Sequence, residues 1–283
     1  MPRLSLLLAA ALLVALLPLP AVACGAQTDC AVEGGVYRLV MPEAEAPVPA
    51  LFFLHGWGAS PEGTLRGRED LRVTLSARGY ALILPEGIPR AGRTQRDWAV
   101  RDDGRHPRDD LAFFDAVLQD AASRGVDRER VLLGGFSRGG SMVWYVACER
   151  PDLFAAYAPV AGAFWYPIPT GCTAPGEEGL ALFHTHGWDD RVVPLEGRLI
   201  GGGRLTQGDA FESLAILRRT LGCTARLPDE AWTDGPRWRR DWTSCSAGRI
   251  SLSLHPGGHI VPAGWTSRML DWFETAPEAA PSR

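Results

Sequence analysis

The pentapeptide Gly135-Phe136-Ser137-Arg138-Gly139 is the segment of this 283-residue chain whose residue types best suit covalent catalysis. It has the pattern G-x-S-x-G and follows the apolar run at 131–134. A serine on a sharp turn between a buried strand and a helix presents its hydroxyl at the edge of a sheet, and flanking glycines let the backbone pack closely there. We therefore predict that Ser137 is a nucleophile. The alternative is an ordinary turn serine, because so short a pattern also arises by chance.

A base and an acid follow Ser137 in the chain order that a serine nucleophile on an α/β sheet uses. A histidine must take the hydroxyl proton, and a carboxylate must orient that histidine. His259 lies in a glycine-rich loop after the apolar run at 250–254 and is the predicted base. Asp190 follows the apolar run at 180–185 and is the predicted acid, with the adjacent Asp189 as second choice.

Stabilising the oxyanion of an ester intermediate requires backbone N–H donors. One is expected from Arg138, the residue after the nucleophile. The other is expected from Trp57, in the loop that follows the apolar run at 50–54. His55 in that loop is expected to shape it by hydrogen bonding.

Other interpretations of these residues remain open. His184 and His186 would share one face of a strand and, with the two aspartates, could ligate a metal, although no further His or Cys pair completes the usual shell. Trp165 and Trp188 fall in loops expected near the site. They would line a substrate pocket or, equally, cover the edge of the core.

Composition excludes several classes of function. The formal net charge is −4, and no basic run indicates nucleic acid. All 29 basic residues are Arg, and the chain has no Lys and no Asn. A lysine Schiff base, a Ser-Lys dyad and a Cys-His-Asn triad are therefore excluded. The serine mechanism requires no cofactor and no metal, and the sequence does not specify an oligomeric state.

The first 23 residues have the features of a signal peptide. Arg3 precedes the apolar stretch 4–17, and residues 21–23 fit a small-x-small cleavage site. That stretch is short for a membrane anchor and is followed at once by Pro18 and Pro20, and no other stretch could span a bilayer. We expect an exported, secreted or periplasmic protein. Cys24 directly after the cleavage site leaves a lipoprotein as the alternative.

Six cysteines in an exported chain indicate disulfides. Fifteen pairings are formally available. We expect the pairing of sequence neighbours, which closes short loops: Cys24–Cys30, Cys148–Cys172 and Cys223–Cys245.

Strand-like and helix-like segments alternate along the chain, which indicates an α/β fold with a mostly parallel sheet flanked by helices. Strands are expected at 35–41, 50–54, 80–84, 154–160, 180–185 and 250–254, besides the one before Ser137. Helices are expected at 66–78, 109–123, 139–149, 207–221 and 265–275, with 47–49 as a linker turn. We expect one catalytic domain at 24–275 and a frayed tail at 276–283.

Taken together, these segments resemble the secreted polyhydroxybutyrate-depolymerase and feruloyl-esterase-like family of α/β hydrolases. The resemblance covers nearly all of the mature chain and rests on residues 54–57, 109–114, 135–140, 154–162, 186–194 and 257–259. It implies a single-domain Ser–Asp–His esterase and supports Ser137, Asp190 and His259 by position.

Two departures from this family affect the expected substrate. Arg138 stands where the family often has Asn, so its side chain would favour an anionic substrate or pair with an acid. Residues 260–264 replace an aromatic-Pro-Gly run. Because no polymer-binding domain follows, we expect soluble hydroxyalkanoate oligomers as the leading substrates. The alternatives are feruloyl or acetyl-xylan esters, then a metal-dependent hydrolase or a non-catalytic binding protein.

Overall fold

A ten-stranded sheet forms the centre of the protein. The computed structural model describes residues 24–100 and 105–275. The sheet has the strand order β1-β2-β4-β3-β7-β8-β9-β14-β13-β12, and two small two-stranded sheets, β5-β6 and β10-β11, lie outside it. The strands are β1 Cys30–Val32, β2 Gly35–Val40, β3 Val48–Leu54, β4 Ala81–Pro85, β5 Ile88–Pro89, β6 Arg96–Asp97, β7 Val126–Phe136, β8 Ala156–Val160, β9 Leu180–Gly187, β10 Arg198–Ile200, β11 Leu205–Gln207, β12 Glu230–Asp234, β13 Arg237–Cys245 and β14 Gly248–His255.

The six central strands from β4 to β14 run parallel, as predicted. Their sequences are continuous apolar runs because both faces of the sheet are covered. Every residue of β3, β4 and β8 is buried. The carboxyl ends of β3, β7, β9 and β14 consequently lie along one edge, and the loops after these strands hold the candidate residues.

Helices cover the two faces of the sheet and bury separate apolar clusters. One cluster is built on α3 and α4 with α5, and the other on α2 and α6. The helices are α1 Pro61–Gly67, α2 Glu69–Ala77, α3 Asp110–Ser123, α4 Arg138–Glu149, α5 Ala210–Thr220 and α6 Trp265–Glu274. The structure thus confirms a single-domain α/β-hydrolase fold.

Several local predictions were wrong. The linker turn expected at 47–49 ends early, because Val48 and Pro49 already belong to β3, with an irregular register where proline has no N–H to donate. The helix expected at 66–78 is two helices separated at Arg68. The antiparallel pair β12 and β13 was missed, because its alternating Arg and Trp residues do not have the apolar pattern of a buried strand.

Three disulfides join the expected sequence neighbours: Cys24–Cys30, Cys148–Cys172 and Cys223–Cys245. No free cysteine occurs among the described residues. The proposed signal peptide at 1–23 and the tail at 276–283 lie outside the described residues. Across the remainder, no helix is long and apolar enough to cross a bilayer.

Candidate active site

Ser137 lies on the turn between β7 and α4, as predicted. Its φ is +57° and its ψ is −117°, which a residue with a side chain seldom adopts. Its N–H donates to the Val160 carbonyl of β8, and its carbonyl accepts from the Ser141 N–H. Its side chain makes no capping hydrogen bond to α4. The hydroxyl is therefore held by the backbone turn in a direction that leaves it available to another partner.

The glycines on each side of Ser137 permit this turn by close packing. A Cβ on Gly139 would lie 2.2 Å from the Leu54 carbonyl oxygen of β3. A Cβ on Gly135 would lie 2.6 Å from the Gly139 carbonyl oxygen. No side chain fits at such distances, so the pattern G-x-S-x-G is a steric requirement of the turn.

His259 is the hydrogen-bond partner of Ser137. Its Nε2 lies 2.8 Å from the Ser137 Oγ. Its ring packs against Phe136, with 4.8 Å between the ring centroids. The side chain is 15% exposed, so substrate and water can reach it.

Asp190 holds the other nitrogen of His259. Its Oδ2 lies 2.8 Å from the His259 Nδ1, and its Oδ1 accepts the N–H groups of Val192 and Val193 at 2.9 Å and 2.8 Å. Burial alone would raise the pKa of the Asp190 carboxyl. Hydrogen bonds from His186 and His259 and from the backbone outweigh burial and hold that pKa well below its ordinary value. Asp190 is thus an anion fixed beside His259, whereas Asp189 pairs with Arg191 at the surface.

Two histidines of β9, His184 and His186, support Asp190 from within the sheet. The His186 Nε2 lies 2.8 Å from the Val193 carbonyl and 3.4 Å from the Asp190 Oδ2, so this nitrogen carries the proton. Its Nδ1 then accepts from the His184 Nε2 at 3.1 Å. Both ring nitrogens of His186 therefore make hydrogen bonds to protein groups. This arrangement does not fit the hypothesis that His184 and His186 ligate a metal. The only described group with metal-ligand spacing, Cys24, Cys30 and Asp120, contains a disulfide.

The loop after β3 lies against Ser137. A Cβ on Gly56 would be 3.5 Å from the Ser137 Cβ, so Trp57 follows a residue that lies beside Ser137. The His55 Nδ1 lies 2.8 Å from the Gly56 carbonyl, and its Nε2 accepts the Gly87 N–H at 3.0 Å. Burial lowers the pKa of His55 to about 4. His55 is a neutral ring that shapes this loop, as expected.

Arg138 pairs with an acid that the sequence did not indicate. Its Nε and Nη2 donate to Asp97 at 2.6 Å and 3.1 Å, and its guanidinium lies 4.5 Å from the centre of the Trp165 ring. The guanidinium is thus engaged within the protein, which favours acid pairing over the anionic-substrate interpretation. Asp97 is 41 residues away, in a segment without periodicity, so sequence spacing offered no signal for it.

The two tryptophans predicted to line the pocket have other positions. Trp165 is buried beneath Arg138, and its Nε1 donates to the Ser141 Oγ at 3.2 Å. Trp188 is half exposed and packs at a tilt against Trp238, with 5.5 Å between the ring centroids. Neither is among the residues that line the cleft beside His259, and their role in substrate binding stays a prediction.

A cleft of about 570 Å³ opens beside His259. Phe136, Ile260 and Val261 give it apolar walls, and the Arg68–Asp70 ion pair contributes its charged part. Residues 260–264, which depart from the expected family run, include four of its lining positions. A cleft of this size with few polar groups suits a small organic acyl or alcohol group.

Ser137 lies on a strained turn after a central parallel strand and is hydrogen-bonded to a histidine, which is hydrogen-bonded to a carboxylate. This arrangement defines an α/β hydrolase. A Phospholipase/Carboxylesterase family model matches residues 103–199, which include the Ser137 turn and the Asp190 loop. Feruloyl esterase C of Emericella nidulans is 27% identical over 237 residues, 81% of this chain and 77% of the relative. Feruloyl esterase D of Neurospora crassa is 26% identical over 227 residues, 75% and 68% of the two chains.

Acetyl xylan esterase from Aspergillus awamori superposes with a TM-score of 0.61 at 15% identity, covering 84% of this chain and 93% of that structure. At this identity the likeness shows the shared fold. The chain belongs to the α/β-hydrolase esterases, and the protein is a carboxylic ester hydrolase. The curated relatives favour the feruloyl-ester alternative over the hydroxyalkanoate oligomers expected first.

Proposed function

We propose that this protein is an exported serine esterase in which Ser137, His259 and Asp190 form the catalytic triad. The observation that carries the proposal is the continuous hydrogen-bonded line from the Ser137 Oγ through both nitrogens of His259 to Asp190, with 2.8 Å at each step. His259, the middle member of this line, is one of the residues that line the cleft.

The tautomer of His259 follows from its partners. The Asp190 carboxylate only accepts, so the His259 Nδ1 carries the proton and Nε2 has a free lone pair. Nε2 is therefore ready to accept the Ser137 hydroxyl proton as Oγ attacks the ester carbonyl. Asp190 then stabilises the imidazolium that forms.

The reaction proceeds through an acyl-enzyme. The developing oxyanion is held by the backbone N–H groups of Arg138 and Trp57, and α4 begins with its positive end at this point. His259 passes its proton to the leaving alcohol. Water enters, gives a proton to His259 and attacks the acyl group. His259 then returns that proton to the Ser137 Oγ as the bond to the acyl group breaks and the acid is released.

We assign feruloyl-type esters of plant polysaccharide as the substrate class. The curated relatives support this class, and the apolar walls of the cleft suit a planar aromatic acyl group. Hydroxyalkanoate oligomers are the second candidate, supported by the motifs that resemble the polyhydroxybutyrate-depolymerase and feruloyl-esterase-like family.

A substrate panel separates these candidates. Purified protein should hydrolyse methyl ferulate with kcat/KM at least about tenfold above that for 3-hydroxybutyrate oligomers or acetylated xylan. The variant Ile260→Trp fills the cleft and should raise KM for methyl ferulate while leaving hydrolysis of p-nitrophenyl acetate within about threefold. The matched control is Leu227→Trp, at a 77% exposed position that does not line the cleft. Preference for the hydroxybutyrate oligomers would overturn the assignment.

Export is supported by the three disulfides, which persist in oxidising compartments. The Cys24–Cys30 bond also occupies the thiol that a lipid would need. We expect the mature protein in the periplasm or medium, with Cys24 as its first residue by N-terminal sequencing. A thioether-linked lipid on Cys24 would contradict this.

A further inference from the structure

One short segment, residues 96–98, contacts each side of the proposed oxyanion site. It comprises Arg96 and Asp97 of β6 and the following Trp98. β6 pairs with β5 in a two-residue antiparallel ladder, Ile88 opposite Asp97, separate from the central sheet. The mechanism above does not use this segment.

Two hydrogen bonds join the segment to the loop that carries Trp57. The Arg96 carbonyl accepts the Gly58 N–H at 2.8 Å. The Trp98 indole Nε1–H donates to the His55 carbonyl at 2.8 Å. The backbone is therefore anchored one residue after Trp57 and two residues before it.

The third contact reaches the other proposed donor. Asp97 is 4% exposed and accepts two hydrogen bonds from the Arg138 guanidinium. The same carboxylate accepts the Arg90 Nε–H at 2.7 Å and the Trp98 N–H at 2.8 Å. Burial alone would raise the pKa of Asp97, but Arg138 and these other donors outweigh it and lower that pKa. Asp97 is thus a fixed anion that holds the side chain of the first residue of α4.

We propose that residues 96–98 position the two backbone donors of the oxyanion hole, with Asp97 acting on the Arg138 N–H through the Arg138 guanidinium. This inference rests on the proposed serine mechanism. Asp97, Arg96 and Trp98 are positioning residues, since none of them reaches the reacting atoms.

The two backbone donors need such anchors because an oxyanion hole works only over a narrow range of distances. Its donors act when they lie about 2.7–3.1 Å from the developing anion, and loss of one donor costs about 10²–10³ in kcat. The Trp57 donor belongs to an exposed loop outside any helix or strand, so anchors on both sides are needed to hold it before substrate arrives. A single strand that anchors both donors also fixes the distance between them.

The test compares Asp97→Asn and Trp98→Phe with wild type. Asp97→Asn keeps the size of the side chain and removes the charge that binds the Arg138 guanidinium. Trp98→Phe keeps a smaller aromatic ring and removes the hydrogen bond to the His55 carbonyl. We expect kcat/KM for p-nitrophenyl acetate to fall about 10–100-fold through kcat, with KM within about twofold. The inhibition constant of an aliphatic trifluoromethyl ketone, whose serine adduct places an oxyanion in the hole, should rise by the same factor.

The matched control is Asp241→Asn. Asp241 is 5% exposed and accepts hydrogen bonds from Arg239 and the Trp232 indole, but it lies on β13, next to the edge strand β12. Asp241→Asn should lower the melting temperature by about as much as Asp97→Asn does, and should leave kcat and the ketone inhibition constant within about twofold of wild type. In an Arg138→Met background, adding Asp97→Asn should cost less than about twofold more, because the route from Asp97 to the hole is already lost.

The outcomes distinguish the two proposals. An active wild type whose Asp97→Asn and Trp98→Phe variants match the Asp241→Asn control would overturn the positioning role alone. Should Asp97→Asn fail to fold, Trp98→Phe decides through ketone inhibition. A wild type that neither hydrolyses the ester nor binds the ketone would overturn the serine mechanism together with the inference.

Discussion

The His259 Nδ1 and the Asp190 Oδ2 lie 2.8 Å apart, and the other oxygen of Asp190 accepts two backbone N–H groups of its own loop. The carboxylate is therefore fixed before it orients the histidine. Its neighbour Asp189 has a side chain that is 65% exposed and pairs with Arg191. Two adjacent aspartates thus have different surroundings, which allows a matched comparison.

Asp190→Asn should lower kcat by about 10³-fold or more, because the amide cannot hold His259 in the Nδ1-protonated tautomer. Its NH₂ group would also face either the backbone donors or the His259 ring. Asp189→Asn changes only a surface ion pair and should leave kcat within about twofold. Steady-state hydrolysis of p-nitrophenyl acetate measures both variants, and equal effects would contradict the assignment of Asp190.

Three buried histidines make the free energy of unfolding depend on pH. Burial lowers the pKa of His55 and of His255 to about 4, and it holds the pKa of His184 well below its ordinary value. Between pH 6.5 and pH 4.5 the unfolded chain binds protons that these native rings do not, so stability falls as pH falls. Each histidine contributes roughly 1.4 kcal/mol per pH unit below its unfolded pKa.

Urea unfolding at pH 6.5, 5.5 and 4.5 measures this dependence. His255→Asn keeps an acceptor for the Gly257 N–H, which the His255 Nδ1 now accepts, and removes one titrating ring. It should reduce the slope of unfolding free energy against pH by roughly 1.4 kcal/mol per unit. An unchanged slope would show that His255 is not neutral in the native protein.

The Cys148–Cys172 disulfide joins helix α4, which follows Ser137, to the loop after β8, over a sequence separation of 24. Replacing both cysteines with alanine should lower the free energy of unfolding by about 3.5 kcal/mol through loop entropy. The same replacement at Cys24–Cys30, with a separation of 6, should cost about 2.4 kcal/mol. Urea unfolding of both variants checks the order, and a larger loss at Cys24–Cys30 would contradict it.

The central strands and the Ser137 turn were predictable because their cause is local. A short continuous apolar run such as β3 is typical of a strand covered on both faces, and the glycines around Ser137 mark a turn that side chains would block. Candidate residues at the ends of parallel strands then converge, since these ends share one edge.

The missed features depend on partners far away in sequence. Asp97 forms an ion pair with Arg138, 41 residues away in the sequence, and neither residue type indicates which partner it will have. Trp165 was expected either to line the substrate pocket or to cover the edge of the core, and the contact of its ring with the Arg138 guanidinium was not foreseen. The β12–β13 pair has charged and aromatic residues on both faces because it lies at the sheet edge, where burial does not set the pattern.

The most direct test of the serine mechanism is covalent labelling by a fluorophosphonate, followed by peptide mapping. The matched control is Ser141→Ala, which removes a buried serine one helical turn beyond Ser137. We predict that wild type and Ser141→Ala are labelled on Ser137 and that folded Ser137→Ala is neither labelled nor active. Labelling elsewhere, or ester hydrolysis that survives Ser137→Ala, would contradict the account.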